Sequence, residues 1–331
     1  MSLLKKKREP LDVDQALVGK GHRALEFPSV LKPNTNLKAG PVPLLDPEAF
    51  ADKKAKAKVL VANFVAKFQD KEKKLTGGWD FSIAEFETSI LELITSSDQE
   101  KDLIQQGAHN LCGPAAFLFF FIRREVDQFS RYAISLFETH AAMIGRNRVK
   151  ASRSLVERKY DANWGIETHR GKRRNNQVDW MCLSAIRDHF NLFGYRGVET
   201  RDAIVLWRPV VEASGITTPS EIEHWMKEWG LYTTVINDTN AIQTKGVEHL
   251  LACEAGSERD VCCLIEGSIM GADVGKFGDL LPNHWINLLE VKKENESSTR
   301  LRYGTWGAIE ERVFSNEDLS RAYYGYVAGV L

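Results

Sequence analysis

The sequence predicts an α+β fold, and three observations predict it. Helix-spaced apolar positions dominate the chain up to about Cys253, period-two alternation dominates beyond it, and no internal repeat links the two halves. Alternating βαβ units would mix the two periods throughout, so a parallel doubly wound sheet is not expected.

Residues 1–50 are rich in Lys, Pro and Asn without a sustained period, and read as a loosely structured lead-in. Ala51 to Lys74 carries Val59, Leu60, Ala62, Phe64, Val65 and Phe68 at helix spacing among lysines. This basic amphipathic segment is either a helix packed on the domain surface or an arm for a membrane or partner. Gly77-Gly78 breaks the pattern, and Phe81 to Thr95 resumes it. A loop leads to Cys112-Gly-Pro-Ala-Ala-Phe-Leu-Phe-Phe-Phe-Ile. Proline suits the first helical turn, where its missing N–H leaves no bond unmade, and a helix apolar on nearly every side must be central. Helical spacing continues through Phe129–Ile144, Asp179–Phe190 and Pro219–Trp229, the last with Thr218 to cap it and Gly230 to end it. Leu231–Asn237 reads as a short strand. After a helical stretch ending near Cys253, strands are expected at Val261–Ile265, His284–Val291, Arg300–Trp306 and Tyr323–Val330.

With 331 residues, 43% hydrophobic and 27% charged, the chain is neither disordered nor low-complexity, and can form one large domain or two smaller ones. Lys+Arg 44 against Asp+Glu 45 gives a net charge of −1, which supplies no global attraction for nucleic acid or an anionic membrane. The most basic stretch, 146–174, carries ten Lys/Arg against Glu157, Asp161 and Glu167, and reads as a solvated insertion. Its alternative is a local patch for an anionic partner. Five cysteines at irregular spacing suggest reduced thiols rather than a disulfide framework or a structural zinc site. The start, Met-Ser-Leu-Leu-Lys-Lys-Lys-Arg, lacks the apolar stretch of a secretory signal. The longest apolar run, Pro114–Ile122, is far short of the ~20 residues that span a bilayer. The expectation is a protein made in the cytoplasm without stable membrane insertion, with export by a route other than a cleavable signal left open.

Chemistry concentrates at one ordered set. Cys112 opens the buried helix, where the helix dipole and free N–H groups favour a thiolate. Gln106 lies six residues upstream in Gln-Gly-Ala-His-Asn-Leu-Cys, on a loop able to fold back beside the thiol. Far downstream, a strand begins Asn283-His284-Trp285-Ile286-Asn287, and a Trp306-Gly307 turn follows. His109, three residues from Cys112, reads as exposed or capping. His140, His169, His189, His224 and His249 lack metal-ligand spacing. Cys262 and Cys263 are neighbours on a strand and face opposite ways. Trp225 and Trp229 share one helix face and read as packing residues. No metal or cofactor motif is expected from these patterns, and no glycine-rich phosphate loop occurs.

The ordered set resembles the papain-like cysteine peptidase superfamily. It looks closest to its bacterial branches, the bacteriocin-processing transporter peptidases, staphopain-like enzymes and papain-fold effector toxins. The likeness is local, covering roughly 100–125 and 280–310. It implies a papain-like α+β fold in which the central helix carrying the nucleophile packs against a C-terminal antiparallel sheet. It also implies Cys112 as nucleophile, His284 as general base, Gln106 as an oxyanion donor, and Trp306-Gly307 as the turn shielding the histidine. The sequence departs from that family at Gly304, where an orienting Asn is usual. Thr305, Asn287, Asp279, Asp273, a backbone carbonyl or a water would then orient the imidazole, a role that fixes the tautomer and stabilises the imidazolium.

On this resemblance, 76–331 is the catalytic domain. Residues 1–75 form an N-terminal extension serving as pro-region, delivery segment or partner arm. The expected activity is hydrolysis of a peptide or amide bond through a Cys112 thioester, in a bacterial protease or secreted effector toxin. The expected partners are a protein or peptide substrate, with an inhibitor or immunity protein or a secretion-system carrier beside it. Deamidation or transglutamination of a protein glutamine, or cleavage of a cell-wall peptide amide, would use the same site. A non-catalytic binding module on a decayed papain fold is the reading from another class.

Overall fold

A computed structural model of the chain describes residues 46–68, 78–106, 111–160, 176–190, 217–256, 258–270 and 284–331. Residues 1–45, His109, His169, Asp273 and Asp279 lie outside the described residues, as does the part of the basic stretch from 161 to 174.

The first helices are specified by local signals. α1 (Pro47–Val65) starts with Asp46 accepting from the Glu48 N–H at 3.1 Å and with proline in its first turn. Its buried residues Phe50, Ala57, Val61, Phe64 and Val65 recur at helix spacing, and it packs against α2 (Ile83–Ser96) and α4 (Val126–Thr139). α2 opens with a capping box, in which the Ser82 hydroxyl accepts from the Glu85 N–H and the Glu85 carboxylate accepts from the Ser82 N–H. α3 (Cys112–Arg124) buries Phe117, Leu118, Phe119, Phe120, Phe121 and Ile122, each contributing about 1.5–3 kcal/mol by leaving water. α3 is accordingly the central helix of the packed body.

The helical spacing at 129–144 is cut short. α4 ends at Thr139 because His140 turns into the left-handed conformation, φ 61°. Ala141–Ile144 (β1) then pairs with Asn147–Lys150 (β2) around Gly145, whose φ is 58°. Gly145 is needed there, since a Cβ would lie 2.2 Å from the Trp229 carbonyl oxygen. β2 and α5 (Arg153–Val156) occupy the first part of the basic stretch and bury Val149, Leu155 and Val156. α6 (Gln177–Phe190) and α7 (Pro219–Trp229) follow. α7 carries the Thr218/Glu221 capping box and ends at left-handed Gly230. Trp225 and Trp229 of α7 pack inward on Phe117, with ring centroids 5.8 Å and 5.9 Å away.

The C-terminal part is a six-stranded antiparallel sheet in the order β3-β8-β4-β5-β6-β7. Its strands are β3 (Thr234–Thr239), β4 (Arg259–Ile265), β5 (His284–Asn295), β6 (Ser298–Thr305), β7 (Ala308–Ser315) and β8 (Tyr323–Val330). β7 is legible only in the structure. It is an edge strand, and Glu310, Glu311 and Arg312 in succession erase the alternation a half-buried strand would print. Alternate side chains separate two cores. Cys262, Leu264, Trp285 and Val327 join the α-helical layer, whereas Cys263, Ile265, Ile286 and Tyr323 face α8 (Val247–Leu251) and α9 (Asn316–Ala322). Cys262 and Cys263 thus pack on opposite faces as their adjacency requires. The five cysteines are thiols, all buried.

α3 lies on β5, flanked by β4 and β6. Its far end is held by Arg124, which donates to both carboxylate oxygens of buried Asp260 at 3.0 Å and 2.7 Å. Its middle is held by Asn287 of β5, whose Nδ2 donates to the Ala116 carbonyl at 2.8 Å. No helix among the described residues is long and apolar enough to cross a membrane.

Candidate active site

The N-terminus of α3 meets the beginning of β5 and the end of β6. Cys112 is the first residue of α3, His284 the first of β5 and Thr305 the last of β6. The backbone N–H groups of Trp285, directly after His284, and of Gly113 lie near enough to the Cys112 sulfur to favour its thiolate. His284 is thus the residue before the strand position whose backbone N–H is nearest the sulfur. Gln106, Cys112, Thr305 and Trp306 line one small cavity, with Ala115, Ala116 and Phe119 of α3 forming its apolar wall.

Among the proposed orienting groups, the structure pairs Thr305 with the histidine. His284 Nε2 lies 2.8 Å from Thr305 Oγ1. Asn287 instead reaches the Ala116 carbonyl and, at 3.8 Å, the Cys262 sulfur. Gly304 has a steric cause. A Cβ there would lie 2.7 Å from Phe119 Cε2 and 2.9 Å from Cζ, so an Asn side chain has no room while Phe119 keeps its place. The polar partner of the histidine consequently comes from the next residue along β6.

Trp306 covers the other side of the pair. Its ring stacks on the His284 imidazole with centroids 4.4 Å apart and planes 13° apart. This placement comes from a two-residue hairpin turn between β6 and β7, with Thr305 opposite Ala308. Trp306 and Gly307 both have positive φ, 43° and 75°, the signature of the turn whose twist matches its strands. Tryptophan rarely accepts that conformation, and such outliers persist where surroundings over-determine them. Here the Trp306 carbonyl accepts from Gln105 Nε2 at 2.6 Å, and the Gly307 carbonyl accepts from the Leu103 N–H at 2.9 Å.

A third support lies under the helix tip. The Trp285 indole N–H donates to the Thr217 carbonyl at 2.9 Å. Thr217 packs so closely on Gly113 that a Cβ at that glycine would fall 2.2 Å from the threonine Cβ. Buried Arg187 donates to the Thr217 hydroxyl at 3.1 Å and pairs with Glu221 at 3.3 Å. Gln105, Thr217 and Arg187 carried no signal in the sequence, because a lone amide, hydroxyl or guanidinium has no periodicity. The doubled Gln105-Gln106 is the single hint that one residue of the pair serves the other's placement.

Cys112, His284, Gln106 and Thr305 are each only 5–8% exposed. Burial pushes the Cys112 thiol above its ordinary range, against the pull of the backbone N–H groups of Trp285 and Gly113 and of the Arg187 charge. The helix N-terminus expected to favour a thiolate is thus present, but desolvation outweighs it. Among the described residues no group of His, Cys, Asp and Glu is arranged to hold a metal ion. Compared with protein-family models, with curated proteins and with solved structures, the chain matches none of them.

Proposed function

We propose that the protein is a papain-like cysteine hydrolase that acts on a peptide or amide bond through a Cys112 thioester. The observation that carries this reading is the cavity shared by Cys112, Gln106, Thr305 and Trp306, the last two of which hold and stack on His284. A helix bearing the thiol at its N-terminus, laid on an antiparallel sheet whose strand starts with the histidine, supports a papain-like arrangement.

In the base-competent tautomer Nε2–H donates to Thr305 Oγ1, so proton exchange with the sulfur falls to Nδ1. His284 takes the Cys112 proton, and the sulfur attacks the acyl carbon. The Gln106 amide and the Cys112 backbone N–H stabilise the resulting oxyanion, a contribution of about 2.7–4 kcal/mol per donor. His284 returns the proton to the leaving amine, and water then cleaves the thioester. Transfer of the acyl group to another amine, or attack on a glutamine side chain, uses the same intermediate. Intact-mass analysis of treated proteins separates chain scission from side-chain conversion.

The test is Cys112→Ala in the full chain. It abolishes hydrolysis and labelling by an electrophilic thiol probe while circular dichroism stays unchanged; undiminished hydrolysis overturns the mechanism. Burial of all four site residues and the raised thiol favour a second reading, a non-catalytic module on the same fold. That reading requires no selective labelling of Cys112 at neutral pH in the native protein.

A further inference from the structure

We propose that Gln105 is a positioning residue that ties the arm carrying Gln106 to the turn shielding His284, an assignment resting on the hydrolase reading above. Gln105 is 3% exposed, and its Nε2 donates to the Trp306 carbonyl at 2.6 Å. The same Nε2 would lie 2.7 Å from a Cβ at Gly307, so the amide fills the space that this glycine leaves. It therefore grips both residues of the turn.

Gln105 is one rung of a longer seam. The Ile309 N–H donates to the Glu100 carbonyl at 2.6 Å, and the Leu103 N–H to the Gly307 carbonyl at 2.9 Å. Arg302 of β6 pairs with the Glu100 carboxylate. Segment 100–105 is thereby fastened along the β6–β7 hairpin, and the next residue, Gln106, enters the cavity with Cys112. Two successive side chains split the work. Gln105 fixes Trp306 in a conformation that tryptophan resists, and Trp306 fixes the imidazole plane by stacking. Gln106 lines the cavity that Cys112 also lines. Any shift of the arm displaces the oxyanion donor and the base together.

The experiment uses the full-length protein, Gln105→Glu and Gln105→Ala, with Cys112→Ala as the labelling control. Glutamate preserves size but presents a carboxylate, an acceptor, to the Trp306 carbonyl. Two readouts are taken on each folded variant. One is the imidazole carbon-bound proton resonance of His284, assigned with His284→Ala, which reports stacking by Trp306. The other is the rate of Cys112 alkylation by iodoacetamide from pH 5 to 10. Expected for both variants are loss of the ring-current shift on His284 and alkylation at pH 7 slowed about fivefold or more, as for a lost hydrogen bond to a preorganised group. The profile moves to higher pH, a change that a general loss of stability would not produce. An unchanged His284 resonance, or an unchanged alkylation profile beside a wild-type Cys112 that reacts, overturns the Gln105 assignment alone. A wild-type Cys112 inert across the whole pH range overturns the hydrolase reading and the positioning role with it. If Gln105→Ala does not fold, the isosteric Gln105→Glu decides the question.

Discussion

The imidazole Nε2 of His284 and the hydroxyl of Thr305 are 2.8 Å apart, across the pairing of two strands whose residues lie 21 positions apart in the chain. A hydroxyl orients a histidine but carries no charge, so it favours the imidazolium less than a carboxylate would.

Thr305→Val keeps the shape and removes the hydrogen bond. Alkylation of Cys112, and hydrolysis of any substrate found, should fall roughly three- to tenfold, the range of a neutral hydrogen bond. Thr305→Ser should stay near wild type. Second-order labelling rates check both.

Gly304→Asn introduces the residue that the proposed papain-like arrangement would use at this position, yet it should not improve the site. A Cβ at this position collides with Phe119, so the substitution should cost about 1–3 kcal/mol as overpacking. The smaller Gly304→Ala should show the same sign. Combining it with Phe119→Leu should recover part of the loss, a non-additivity that urea denaturation of the four proteins measures.

Asp260→Ala strands a guanidinium. Arg124 and Asp260 have side chains 10% and 3% exposed, and the Tyr232 hydroxyl donates to the same carboxylate at 2.8 Å. Removing one partner of such a buried pair should cost about 3–5 kcal/mol, loosening the end of α3 opposite Cys112. Chemical denaturation should register the whole loss.

Alkaline pH should destabilise the protein. Burial raises the thiols of Cys112, Cys182, Cys262 and Cys263, and pushes Cys253 up from 9.0 to about 12. Above pH 9 the unfolded chain releases these protons while the folded chain keeps them. The folded state then binds more protons than the unfolded one, so stability falls as pH rises. For Cys253 the loss is ~1.4 kcal/mol per pH unit between the two values. A series of melting temperatures from pH 8 to 11 should decline progressively and recover on return to pH 8.

Much of the fold was legible before any coordinates. α7 spans Pro219–Trp229 and β8 spans Tyr323–Val330, the ranges that capping residues and alternation indicate. The run from Cys112 is apolar on nearly every side and forms the central helix. Where the reading failed, a local signal was overridden or masked. His140 adopts a left-handed conformation that no spacing announces, and β7 carries its charges on consecutive positions. Cys112, His284, Gln106 and Thr305 are all nameable from the sequence, but nothing in it excludes Asn287, Asp279 or Asp273 as the partner of the histidine.

By itself, then, the sequence determined what depends on neighbours a few residues away: helix starts and stops, strand faces, and a cysteine at a helix tip. The tertiary structure alone decided that Thr305 meets His284, that Phe119 denies a side chain to position 304, and that Gln105 holds Trp306 from 201 residues away. It also decided that the Cys112 thiol is raised rather than lowered. The reason is range. Periodicity and capping act within a turn or two of chain, whereas desolvation and steric exclusion sum over every group that folding brings near, whatever its place in the sequence.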